Sequence, residues 1–289
     1  MSAAGGPHRI GKFSRRVGVS PELLRAWEQR YGLLHPVRSP SGFRLYGEED
    51  AQRVARMRRA LDQGLSAAEA ARAALDTASA SVAMIETAQA RLLEAARQYD
   101  EAGIHAVLDE GISAFGLEAF ARDLVLPTLV DIGRRWESGE VEVSQEHFAS
   151  NLIRSRLLGL ARLWGRGAGP LALLACAPGE QHDISLIIFG LVLRSYGWRI
   201  LFLGADTPLA TLEDAAKTTA ADMVVLVAFD PALLHSAGTP LRRLGRIAPL
   251  FLSGPGISPD LSEQLRVRRL DGDLVEAAGI VAGMPNEAF

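Results

Sequence analysis

Apolar residues recur at helical spacing through the first half of the chain and gather into short unbroken runs in the second half. Ile10, Phe13 and Val17 stand at i, i+3 and i+7 and predict a short amphipathic helix ending near Gly18. Ser20 is a good N-cap and Pro21 a good first helical residue, and Leu23, Leu24, Trp27 and Tyr31 then supply the stripe of a second helix. Helix, tight turn and helix form a helix-turn-helix unit. Val37 to Tyr46 gives two strand-like runs around Pro40-Ser41-Gly42, a β-hairpin wing with Arg38 and Arg44 beside its tip. Gly47 to Gly64 reads as a helix with Val54, Met57 and Leu61 inward, and Ser66 with Glu69 forms a capping box that opens another. The first domain is expected to close near residue 76. No heptad run long enough for an extended dimerisation helix follows residue 65, so assembly is expected to fall to the rear of the chain.

Residues 77–88 are small and poorly periodic, which reads as a linker. Residues 89–166 return to helical patterning with breaks near Gly103, Gly116, Gly139 and Gly165, as in a four-helix bundle. After Gly169, strand-like runs at 171–176, 200–203, 223–227 and 250–252 alternate with amphipathic stretches, which is the pattern of a parallel α/β sheet. The predicted fold is therefore multidomain, α and α/β: a winged helix-turn-helix at 1–76, a linker at 77–88, a four-helix bundle at 89–166 and a flavodoxin-like (Rossmann-type) parallel α/β domain at 167–289. Such sheets bind ligands beyond the carboxyl ends of their strands, and the loop from Pro178 to Ser185 lies just past the first one.

Charge changes this picture at the front only. A net charge of −3 over 289 residues conceals 13 Lys+Arg against 7 Asp+Glu in residues 1–75, so the remainder is acidic and only the first domain suits phosphates. Among the 31 basic residues Lys12 and Lys217 are the only lysines, a bias that genome composition explains. One cysteine, Cys176, excludes an internal disulfide and suits a reducing compartment. The first 20 residues carry four Lys or Arg side chains and one histidine without a long apolar run, and no stretch gives 18 uninterrupted apolar residues. A cytoplasmic protein without a membrane partner is expected.

The front motif runs Arg25-Ala26-Trp27-Glu28-Gln29-Arg30-Tyr31-Gly32-Leu33-Leu34, followed by Arg38 and Gly42-Phe43-Arg44-Leu45-Tyr46. In order, spacing and residue type it resembles the MerR-type transcriptional regulators over about 75 residues. An arginine-bearing helix and a hairpin with two arginines can straddle a groove, with phosphate contacts supplying affinity. Arg25, Arg30, Arg38 and Arg44 are the expected DNA contacts, and Tyr31 and Tyr46 complete the set. Trp27 reads as core, and packing is the leading reading for Tyr31 as well.

Trp136 precedes Glu146-His147 across the connection between the third and fourth bundle helices. Adjacent residues on a helix point about 100° apart, so Glu146 and His147 do not by themselves make a joint metal site. Glu180-Gln181-His182 sits on the strand-to-helix loop, where an imidazole can give its lone pair to a metal while a carboxylate orients the other nitrogen. With the front domain, residues 89–285 resemble the CarH/LitR-type repressors, light-responsive regulators that use adenosylcobalamin. The resemblance implies that His182 is the lower axial ligand of cobalt and that Trp136, Glu146 and His147 cover the upper adenosyl face. It also implies that Glu180, Ser185, Val227, Ser253 and Gly254 line the cofactor's lower side and tail, and the turn from Leu203 to Pro208 matches the family.

Departures cluster at the ligand. Ser185 replaces a glycine, Val227 a serine and Ser253 the first glycine of a pair, each narrowing or repolarising the tail channel; Glu137 stands where light-sensitive relatives place a cobalt-capturing histidine. The resulting expectation is a DNA-binding regulator, a repressor and not an enzyme. It would bind a partly palindromic operator as a dimer or tetramer under cobalamin control, with light as a candidate trigger, and RNA polymerase or another regulator is a further candidate partner. Two rivals stand beside it: a cobalamin-independent regulator whose rear half serves oligomerisation, a protein partner or another ligand, and a cobalamin carrier component of a methyltransferase.

Overall fold

The computed structural model describes residues 8–39, 42–234, 237–265, 267–270 and 272–283. Pro40 and Ser41 at the expected wing tip, and residues 284–289 at the end of the expected α/β domain, lie outside them. The chain divides into two compact units, Met1–Thr87 and Ala88–Phe289.

In the first unit β1 (His8–Arg9) leads into α1 (Ile10–Val17) and α2 (Pro21–Tyr31). Strands β2 (Val37–Arg38) and β3 (Arg44–Tyr46) follow, then α3 (Glu48–Asp62). Gly18 stops α1 in the left-handed region, at φ 66°, which a side chain would resist. Ser20 Oγ accepts the Leu23 N–H at 3.3 Å and Pro21 opens α2, as the sequence predicts. The wing is a three-stranded antiparallel sheet, β1-β3-β2, with Arg38 opposite Arg44 and His8 opposite Tyr46. Its first strand was not legible in the sequence, because two residues carry no alternation. Phe13, Leu24, Trp27, Leu33, Tyr46 and Met57 form the core of this unit.

Helix α4 (Ala67–Arg97) is 31 residues long and runs through residues 77–88, so the segment expected as a linker is helical. The segment lacks glycine and proline and is rich in alanine, so helix propensity carries it although no apolar stripe marks it. Ala70, Ala71 and Ala74 at one end join the first core, while Leu92, Ala95 and Ala96 at the other join the second.

In the second unit α5 (Glu101–Ala119), a π-helical turn (Phe120–Val125), α6 (Leu126–Glu137) and α7 (Val143–Leu160) complete a bundle with the end of α4. Pro127 has no N–H to offer the Asp123 carbonyl, and the Gln89 side chain supplies the missing donor at 2.7 Å. The α/β part then runs β4 (Leu171–Cys176), α8 (Ile184–Ser195), β5 (Arg199–Gly204), α9 (Leu209–Thr219) and β6 (Met223–Val227). After a 3-10 turn come α10 (Gly238–Leu244), β7 (Leu250–Ser253), α11 (Pro259–Leu265), β8 (Arg268–Arg269) and α12 (Leu274–Ala282). Among the described residues the sheet has the order β5-β4-β6-β7-β8 and every pairing in it is parallel. This is the flavodoxin-like order, whose direction reverses between β4 and β6 and leaves a crevice beyond their carboxyl ends. The two-residue edge strand β8 was missed for the same reason as β1.

Strand β4 is buried on both faces. Ala172, Leu174 and Cys176 point into a core shared with the bundle, and Leu173 and Ala175 into the core beneath α9 to α11. The bundle and sheet therefore fold around one common apolar layer, which Trp164, Leu186, Phe189 and Ile153 fill.

Candidate DNA-binding and cofactor sites

Two arginines of α2, Arg25 and Arg30, are exposed, as are Arg38 and Arg44 on the wing strands. Arg30 leans over the half-buried Tyr31 ring at 5.7 Å, and Arg9 stacks on exposed Phe43 at 3.8 Å. Arg44 Nε donates to Glu28 Oε1 at 3.0 Å, while its side chain remains 52% exposed and open to a phosphate.

Tyr46 departs from its expected place. Its ring is a core residue, 1% exposed and stacked on Phe13 at 5.0 Å, and its hydroxyl donates to Glu28 Oε2 at 2.8 Å. Burial, and after it the Glu28 carboxylate, pushes the phenol well above its usual range. Sequence spacing placed it on the wing, but as the last residue of β3 it faces inward, so it braces the wing instead of touching DNA. Trp27, 4% exposed, is core as expected.

Beyond the crevice, the loop after β4 presents His182 with its side chain 72% exposed. Buried Glu180 holds the ring: Oε1 accepts the His182 backbone N–H at 2.9 Å and meets Nδ1 at 2.6 Å, while Oε2 accepts the Phe229 N–H at 2.6 Å. Burial pushes the Glu180 carboxyl upward, but the two backbone donors and the imidazole outweigh it and hold the group below its usual value. The Phe229 ring backs the imidazole at a centroid distance of 5.1 Å. Among the described residues nothing hydrogen-bonds Nε2, the nitrogen left to bind a metal. An imidazole oriented by a carboxylate through its other nitrogen is the usual arrangement of a metal-ligating histidine.

The turn after β5 grips the same loop. Asp206 sits at φ 47°, its Oδ1 accepts the Gly179 N–H at 2.7 Å, and its own N–H donates to the Glu180 carbonyl at 2.8 Å. From the bundle, Arg154 donates to both oxygens of buried Asp183, the residue after the histidine, at 2.6 to 2.9 Å. Neither Arg154, Asp183 nor Phe229 was singled out in the sequence; the neighbour of a ligand histidine is a fair place to look, whereas Arg154 lies 29 residues away without any spacing signal.

Ser185, Val227, Ser253 and Gly254 line one cavity of about 330 Å³ at the carboxyl ends of β6 and β7, together with Phe229 and Arg269. The expected tail residues are thus gathered beside the histidine's backing ring. At Gly254, φ is 105° and a Cβ would lie 2.4 Å from the Ala228 carbonyl oxygen, so the two loop backbones touch there. Trp136 is 48% exposed on the last turn of α6. Glu146 and His147 open α7, and their side chains approach to 3.6 Å in spite of pointing apart on the helix. Glu137 is exposed beside the tryptophan. Among the described residues no three His, Cys, Asp or Glu side chains cluster to hold a bare ion.

A model of the MerR HTH family regulatory proteins matches residues 8–76, and a model of the B12 binding domain matches residues 88–158. The chain is 36% identical over 233 residues to the HTH-type transcriptional repressor CarH of Myxococcus xanthus, spanning 76% of this chain and 78% of that protein. The chain belongs to this family of MerR-type repressors. CarA of the same organism is 35% identical over 75% of both chains. The monomethylamine corrinoid protein of Methanosarcina barkeri shares the fold of the rear unit, with a TM-score of 0.54, 19% identity, and 66% of this chain and 95% of that one covered. As a member of the CarH and CarA family the chain is a DNA-binding transcriptional regulator with a cobalamin-binding module, not an enzyme. No helix among the described residues is long and apolar enough to cross a membrane.

Proposed function

We propose that this regulator is a cytoplasmic repressor that holds adenosylcobalamin on His182 and binds a palindromic operator as a dimer or tetramer in response to it. The observation that carries the reading is the His182 ring, exposed yet locked through Nδ1 by buried Glu180, beside a cavity sized for part of a large ligand. An exposed imidazole loses side-chain freedom by such anchoring, and a pre-oriented Nε2 recovers that loss when a metal binds.

The residues divide the work. His182 Nε2 would hold the cobalt, Ser185, Val227, Ser253 and Gly254 would accommodate the cofactor's tail, and Trp136, Glu146 and His147 would close over it from the bundle. In the front unit Arg25, Arg30, Arg38 and Arg44 neutralise phosphates across the groove, with Tyr31 at their border and Glu28 bracing the wing. When bound, the cofactor supplies a cobalt–carbon bond that visible light can cleave. His147, near the start of α7, would offer a nitrogen donor on the bundle side of the site, which the Glu137 carboxylate cannot. An operator of repeated half-sites couples affinity to assembly, so a change of oligomeric state becomes a change of occupancy.

The test is size-exclusion chromatography with an absorbance spectrum on protein incubated with adenosylcobalamin in the dark, repeated after green illumination. A coloured, larger species that shrinks in light is the expected result. Colour without shrinkage would remove light from the account and keep the cofactor, and a colourless peak of unchanged size would overturn the reading in favour of a cofactor-independent regulator.

A further inference from the structure

Three groups hold the His182 loop. Two come from the sheet's own loops: Asp206 on the Gly179 N–H at 2.7 Å, and the Glu180 carboxylate bridging the loop to Phe229. The third comes from the bundle, where Arg154 on α7 forms a two-pronged ion pair with Asp183, whose side chain is 2% exposed. Asp183 occupies the N-cap of α8, the position where a carboxylate normally accepts its own helix's N–H groups, yet it makes no such bond. Both of its oxygens are turned to Arg154 instead. The Asp183 N–H is engaged with the Gln181 carbonyl at 3.1 Å, so the carboxylate is rigidly joined to the turn that carries His182.

The other end of this contact is equally specific. His147 lies seven residues before Arg154 on α7, a separation that returns to the same helix face within about 20° and spans about 10 Å along the axis. On either side of Arg154, Ile153 and Leu157 anchor α7 in the core shared with α8, whereas Val143 and His147 near its start are exposed. One helix thus carries the cap residues on its open end and the clamp on its anchored end.

We propose that Arg154 is a positioning residue for the cobalt ligand: through Asp183 it fixes the His182 loop against the helix that carries Glu146 and His147, and so couples cofactor occupancy to the bundle. The proposal rests on the cobalamin reading above. A guanidinium suits the task because its planar fork meets both carboxylate oxygens at once and sets an angle as well as a distance, which an ammonium cannot do.

Removing Arg154 alone leaves a buried carboxylate unpaired and destabilises the fold for that reason only. The informative variant is therefore R154M/D183N, which deletes both charges and nearly keeps the volume, with R154K as a second that keeps the charge and loses the fork. The full chain would be titrated with adenosylcobalamin in the dark. Affinity, the visible band that reports histidine on cobalt, and the rise in melting temperature on loading would be followed against the cofactor-free protein. The expected result is a double variant whose cofactor-free melting temperature stays near wild type, while its affinity falls by about tenfold or more, in the range of lost outer-shell support. Its histidine-ligated band should weaken and its gain on loading shrink, with R154K intermediate. Wild-type affinity, band and gain in R154K and in the double variant would overturn the proposal. If the double variant does not fold, R154K alone decides by the same three readings. A wild-type protein that takes up no cobalamin would instead overturn the reading on which the proposal rests.

Discussion

The two units treat charge in opposite ways. In the front unit the arginines aimed at a ligand are exposed and lightly held: Arg25, Arg30 and Arg38 stand in solvent, and Arg44 shares one contact with Glu28. In the rear unit the two carboxylates flanking His182 are buried and fully engaged: Glu180 is 3% exposed and Asp183 2%, each with partners for both oxygens. A polyanion with a phosphate at every step rewards loose, replaceable cations, because affinity comes from releasing counterions and not from one geometry. A single coordination bond demands a fixed direction, and this takes buried hydrogen bonds that are costly to leave unmade. The same contrast predicts where substitutions bite: graded, salt-dependent losses in front, near all-or-none losses behind.

The largest effect should follow His182→Ala. Cofactor stoichiometry after desalting should drop from about one per chain to near zero, since a structural ligand has no substitute here. The circular dichroism of the helical front should stay intact, and unchanged stoichiometry would remove His182 from the ligand role. Next, Glu180→Gln should weaken retention by about ten- to a hundredfold, because the second partner of the ring is lost while the first remains.

Glu180 also gives a pH signature. Its carboxyl is held below the ordinary value, so its contribution to stability is full above that value and is lost as the pH falls through its lower folded one, from about pH 4 downward. Melting curves of wild type should therefore steepen in their acid limb more than those of Glu180→Gln, and parallel limbs would contradict the assignment.

In front, Arg44→Ala should cost a few-fold to about tenfold in operator affinity and make the salt dependence shallower by about one unit of slope. An affinity loss with an unchanged slope would mean that Arg44 only braces the wing. The smallest effect on DNA binding is expected of Tyr46→Phe. It should lower stability by about 1–2 kcal/mol through loss of a hydrogen bond to a charged acceptor, without altering that slope.

Legibility in the sequence followed the same division between local and distant causes. The caps of α1 and α2, the wing strands around Arg38 and Arg44, and the parallel sheet were readable because each rests on neighbours a few residues apart. The Ser66–Glu69 capping box is one such case, with Glu69 accepting the Ser66 N–H at 3.0 Å. The ligand loop was readable for the same reason, since Glu180 and His182 are two residues apart. What escaped depends on distant partners. The Arg154–Asp183 pair spans 29 residues, Gln89 completes the turn before Pro127 from 34 residues away, and the inward turn of Tyr46 is fixed by Phe13 and Glu28. The helical course of 77–88 was hidden for another reason: alanines favour a helix without marking which face is buried.

The central claim is that occupancy of His182 governs the grip of the front unit on DNA. The most direct measurement is operator affinity in the dark, at one fixed salt concentration, for wild type and His182→Ala with and without adenosylcobalamin. The account predicts that the cofactor tightens wild-type binding by about tenfold or more, within the usual span of coupling between two sites, and leaves the variant unchanged. An equal response in both proteins, or none in the wild type, would contradict it.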